Sequence, residues 1–81
     1  MTLSYDKSAD VLYVTFEPAP LGSYIYVENE NGDVLRLDRN TKQVVGCTIL
    51  AFAARCAKGR VTIPEIGPVP FNEIAEDLIC A

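Results

Sequence analysis

The chain has 81 residues, 49% hydrophobic and 22% charged, with a formal net charge of −4. A chain of that length holds one domain, burying roughly 60–65% of its extended surface, and its composition calls for a packed core rather than disorder. The acidic balance argues against bulk nucleic-acid binding, and the longest uncharged run, the 12 residues from Gln43 to Ala54, is too short to span a membrane.

In chain order, Leu3–Tyr5 is a short extended segment closed by the polar turn Asp6-Lys7-Ser8-Ala9-Asp10. Val11–Phe16 is almost wholly β-branched and aromatic, with Leu12, Val14 and Phe16 on one face and Val11, Tyr13 and Thr15 on the other. Both faces are apolar, so this strand is expected inside a sheet; Pro18 and Pro20 end it. Tyr24–Val27 is the next strand. Within Asn29–Asp33, Asn31-Gly32 signals a hairpin, because both residues tolerate positive φ. Val34–Asp38 returns with Leu35 and Leu37 toward the core, and Arg39–Gln43 turns the chain into Val44–Ile49, where Val45, Cys47 and Ile49 alternate inward. Gly46 inside that strand signals a bulge or a close backbone approach.

The period then changes. Leu50–Lys58 is alanine-rich and stops at Gly59, which predicts a short helix over 50–58. Residues 59–69, with Val61-Thr62-Ile63, Pro64, Gly67 and Pro68, form a connection. Phe71, Ile74, Ala75, Leu78 and Ile79 fall on one stripe of a helix over 70–80, with Pro70 at its first position and Glu73, Glu76 and Asp77 along it. About ten residues are marginal as an isolated helix, so this one needs a sheet to lie on. The expected fold is a single α+β domain: a four- to five-stranded antiparallel meander over 3–49, with C-terminal helices packed on one face.

Laid out this way, the segments resemble a known family. Tyr5-Asp6-Lys7-Ser8-Ala9-Asp10-Val11-Leu12-Tyr13-Val14 is similar to the opening of the bacterial family of domain of unknown function 2283. The resemblance continues through Gly32–Asp38 and Val44–Leu50 and covers residues 3–58. It implies a compact antiparallel sheet with a helix, in small bacterial proteins without an assigned activity. Some relatives are encoded beside toxin-like proteins, which implies an antitoxin or partner-binding role. The chain departs from the family pattern at Thr48, where a glutamate usually follows the glycine of the last strand, and at Ala51, where a polar helix cap is common.

Chemistry is sparse. There is no histidine, hence no side chain that titrates near neutrality unperturbed. Cys47, Cys56 and Cys80 lack C-x-x-C spacing, so neither a zinc site nor a redox pair is indicated. Cys47 is expected in the core, and Cys80 near the terminus is the candidate exposed thiol. The odd cysteine count, with no basic stretch followed by an apolar run, leads to the expectation of a reducing cytoplasm. No nucleophile elbow or phosphate loop is present, which points away from catalysis. Asp6 and Asp10 could hold a hard cation between them, or simply cap turn amides. Residues 39–60 carry Arg39, Lys42, Arg55, Lys58 and Arg60 and no acid, whereas the segments on either side are acidic. Internal pairing of these charges, or pairing across a dimer, is expected ahead of an RNA-binding patch. No cofactor is indicated.

The sheet face carrying Val11, Tyr13, Tyr24 and Tyr26 is too apolar to face water unprotected. With Tyr5, Asp6 and Asp10 it makes the candidate interaction surface of a non-enzymatic module. The expected partner is a second copy, most simply in a dimer, or a toxin-like protein. The alternative is a small-ligand or divalent-metal protein using the Asp6/Asp10 turn.

Overall fold

A computed structural model describes residues 1–18, 20 and 22–79, the side chain of Ile79 apart. Cys80, and with it the end of the helix expected over 70–80, lies outside the described residues. Five strands form one antiparallel sheet: β1 (Thr2–Asp6), β2 (Val11–Thr15), β3 (Tyr24–Glu28), β4 (Val34–Asp38) and β5 (Val44–Leu50). The helices α1 (Phe52–Lys58) and α2 (Phe71–Ile79) follow, with a single 3₁₀ turn at Pro64–Ile66 between them. The strand order is β1-β2-β5-β4-β3. A β1–β2 hairpin and a β3–β4–β5 meander are thus joined where β2 pairs with β5, and β2 lies inside the sheet, as its two apolar faces lead one to expect.

The turns explain the hairpins. The first residue of each Asp turn accepts amides two and three positions on: Asp6 from Ser8 and Ala9 (3.1 and 3.2 Å), Asp38 from Asn40 and Thr41 (2.8 and 2.9 Å). The fifth residue of each, Asp10 and Lys42, takes positive φ (55° and 64°). At the β3–β4 hairpin, only Gly32 of the Asn-Gly pair has positive φ, because five residues, 29–33, join the strands rather than a two-residue turn. The Asn29 carboxamide oxygen organises it, accepting the amides of Asn31 (3.0 Å) and Asp33 (2.9 Å).

Element ends shift by a residue at several places, and one shift changes an element: Leu50 belongs to β5, opposite Val11, so α1 begins only at Phe52. Residues 59–69 connect the helices, with Ile63 making an isolated bridge to Gly67. The inward alternation of β5 also breaks once. The register slips between Arg36 and Leu37, so Leu37 faces Val44. Val45 is buried outside the core cluster, in a hollow with Thr15, Tyr24 and Arg36. The bulge expected from Gly46 is the reason, since an extra residue in one strand re-aims its side chains.

The core lies between one sheet face and the helices. Leu12, Val14, Leu35, Cys47 and Ile49 meet Phe52, Val61, Ile63, Phe71 and Ala75. Phe52 stands edge-on to Tyr5 (centroids 6.0 Å) and to Phe71 (6.4 Å), so aromatic contacts link β1, α1 and α2. Asn72 of α2 fixes the connection: its carboxamide oxygen accepts the Val61 amide (2.9 Å) and its amide donates to the Gly59 carbonyl (2.8 Å).

Candidate interaction surface

Among the described residues, no helix lies on the second face of the sheet. Register places its side chains in rows across the strands. One row runs Ser4, Tyr13, Thr48, Val34 and Glu28; the next runs Thr2, Thr15, Gly46, Arg36 and Tyr26; Asp6, Val11 and Leu50 make a third. Tyr13, Leu50 and Tyr26 are 42%, 47% and 65% exposed, and Val11 and Val34 are half-buried beside them. Tyr24 packs edge-on against Tyr26 with centroids 5.5 Å apart. Asp6, Glu17, Glu28 and Asp38 border the same side.

Arg36 is the cation within this face. Its guanidinium lies across Gly46 and donates to the carbonyls of Val14 and Cys47, the second at 3.5 Å, while its Nε is buried without a partner. Gly46 makes this crossing possible. A Cβ there would lie 2.5 Å from Arg36 Nη2 and 2.6 Å from the Val14 carbonyl oxygen.

The seven residues grouped from the sequence divide between two sites. Val11, Tyr13, Tyr24 and Tyr26 share the open face, with Asp6 at its edge. Tyr5 and Asp10 do not join them. Tyr5 pairs with Leu12 and packs on the core, and its hydroxyl donates to Asp10 Oδ1 (2.7 Å). Asp10 also accepts the amides of Ala53 (2.7 Å) and Ala54 (3.3 Å), and its carbonyl accepts that of Phe52 (3.1 Å). It therefore caps α1 from across the chain, which is why Ala51 can stand at the cap position without a capping side chain. Burial would push the Asp10 carboxyl up, but the Ala53, Tyr5 and Ala54 bonds outweigh it and hold the group below the usual range. The same bond, with burial, raises the Tyr5 hydroxyl. The Ser8 hydroxyl and the turn amides hold Asp6 low.

Asp10 accepts on both oxygens, and Asp6 accepts inside its own turn through Oδ1. Among the described residues, no cluster of three or more Cys, Asp or Glu is placed to hold a metal ion, and no helix is long and apolar enough to cross a membrane. The basic block is dispersed. Arg55 pairs with Asp33 (2.5 Å), Arg60 lies 3.8 Å from Glu73, and Arg39 and Lys42 bond to turn carbonyls. Asp33 is wholly buried and its second oxygen has no partner. Burial pushes the Cys47 thiol up to about 11 and raises that of Cys56, so neither is an activated nucleophile.

Sequence reading missed Arg36, Val34, Thr48 and Leu50 on the open face. Alternation within Val34–Asp38 carries the signal for the first two. Leu50 was hidden by the alanine-rich segment that follows it. Comparison of the chain with protein-family models, with curated proteins and with solved structures finds no match. The resemblance of residues 3–58 to the domain of unknown function 2283 family therefore rests on the motif alone.

Proposed function

We propose that this protein is a non-enzymatic interaction module whose helix-free sheet face is covered by a protein partner. The observation that carries the reading is the exposure of Tyr13, Leu50 and Tyr26 on a face that also holds Val11 and Val34. Aromatic and apolar side chains gathered on one side of a small domain favour burial against another surface. The partner is a second copy of the chain or, as the family resemblance suggests, a toxin-like protein whose basic surface meets Asp6, Glu17, Glu28 and Asp38. Location in the cytoplasm belongs to the same proposal.

Sedimentation velocity on the purified protein, alone and with the product of a neighbouring gene, tests this reading. A complex in either case that loses mass on Tyr13→Ser with Leu50→Ser is the expected result. A monomer in both mixtures would remove it. For the antitoxin form, co-expression must restore growth to cells making the neighbouring protein; continued arrest would exclude that form.

A further inference from the structure

The sheet has two edges, and they are built differently. On β1, Leu3 and Tyr5 pack on the core and the alternate positions are Thr2, Ser4 and Asp6. On β3, the run Tyr24-Ile25-Tyr26-Val27 is apolar or aromatic on both sides, and Ile25 and Val27 lie outside the described core cluster. Val27 is 40% exposed. Natural edges are usually blunted by lysine, proline or a bulge, and β3 contains none of these.

The register determines which backbone groups this edge presents. Arg39 donates to the Ser23 carbonyl (2.9 Å) and Asn29 to the Asp33 carbonyl (2.9 Å). Antiparallel pairs alternate, so Ile25 and Val27 bond toward β4 and the N–H and C=O groups of Tyr24, Tyr26 and Glu28 point outward. No described backbone group outside the sheet bonds to Tyr26 or Glu28.

We infer that β3 pairs antiparallel with β3 of a second copy, about a two-fold axis at Tyr26. This pairing uses the sheet edge and leaves the open face free, so it goes beyond the interaction reading above and does not depend on it. The strand is self-complementary in this register. Tyr26 meets Tyr26 of the second copy, and Ile25 meets Val27 twice, apolar against apolar. Glu28 meets Tyr24 instead of the other Glu28, so the charges stay apart. All three outward residues of each strand are matched, and a shift in either direction leaves one of them unpaired. Side chains across an antiparallel pair share a face, so Ile25 and Val27 of both copies gather on the helix side. There they adjoin a hollow of about 560 Å³ bounded by Val27, Leu35, Pro64 and Glu65. The product is a continuous ten-stranded sheet with both helical layers on one side, and the two open faces join through a row of Arg36 and Tyr26 from each copy.

Sedimentation velocity from low to high micromolar concentration, with amide hydrogen exchange at both ends of the range, tests the proposal. The expected result is a doubling of the 8.9 kDa mass, with the Tyr26 and Glu28 amides slowed about tenfold or more in the dimer and those of β1 unchanged. Tyr26→Pro removes a donor at the axis, and an edge strand tolerates proline where the N–H faces solvent; it should stay monomeric with an unchanged circular dichroism spectrum. If that variant unfolds, Val27→Lys, which keeps the backbone bonds to β4, must be monomeric instead. A wild-type monomer throughout the range overturns the proposal, and one that still binds a protein partner overturns it while leaving the interaction reading standing. A dimer lost on Tyr13→Ser with Leu50→Ser but retained by Tyr26→Pro and Val27→Lys would also overturn it, in favour of pairing through the faces.

Discussion

On the helix-covered side of the sheet, Leu12, Val14, Cys47 and Ile49 are shut away beneath Phe52 and Phe71, while on the other side Tyr13, Leu50 and Tyr26 meet solvent. The two sides draw on similar residues, because β2 and β5 are apolar on both faces. The difference is that the described helices after β5 lie on one side of the sheet. What this teaches is how to separate stability from association. Substitutions on or behind the covered side should cost folding free energy, and those on the open side should change assembly with little effect on stability.

The largest expected effect on the covered side is at the Asp33–Arg55 pair. Arg55→Met leaves a wholly buried carboxylate without its cation, at a cost on the order of 3 kcal/mol. Urea unfolding measures it, and adding Asp33→Leu should restore most of the loss. A loss under about 0.5 kcal/mol, typical of exposed pairs, would mean that the pair is solvated.

Gly46→Ala comes next and touches both sides. The new Cβ meets the Val14 carbonyl, which is backbone and cannot swing away, so a loss of about 1–3 kcal/mol is expected in thermal or urea unfolding. No loss would mean that the Val14 carbonyl does not approach Gly46 that closely.

Asp10→Ala should cost about 1 kcal/mol through loss of the α1 cap. The sign with pH follows from its lowered pKa. The carboxylate stabilises the fold fully above the unfolded value of 3.8, and that contribution is lost as pH falls through the lower folded value. The gap between wild type and variant should therefore narrow in acid. Asp10→Asn, which suits the positive φ at this position, serves as the control for backbone strain. A gap unchanged down to strong acid would remove the cap.

The smallest stability effect belongs to the open face. Tyr13→Ser with Leu50→Ser should change folding by only a few tenths of a kcal/mol per site while abolishing association through this face and sparing the β3-paired dimer.

Much of this contrast is legible in the sequence, but unevenly. Alternation placed Leu12, Val14, Leu35, Cys47 and Ile49 on the covered side, and apolar runs bounded by polar turns located the strands. Alternation fixes which residues share a face within a strand. It does not fix which face of one strand continues into the next, and so Tyr5 was grouped with Tyr13 although the β1–β2 register turns it to the core. Partners distant in the chain carry no local signal. Asp10 reads as a turn residue because the amides that it caps lie 43 and 44 residues away. Asp33 reads as a hairpin end because Arg55 lies 22 residues on. The slip that sets the buried Val45 apart from the main core cluster is signalled only by Gly46.

The central claim is that the open face exists to be covered, and sedimentation velocity of wild type beside Tyr13→Ser with Leu50→Ser tests it most directly. The account predicts that wild type forms a complex beyond the β3-paired dimer, with itself or with a protein partner, and that the folded double variant, with nearly unchanged unfolding, does not. A wild-type protein that stays monomeric and partnerless, or a double variant that assembles as well as wild type, would contradict it.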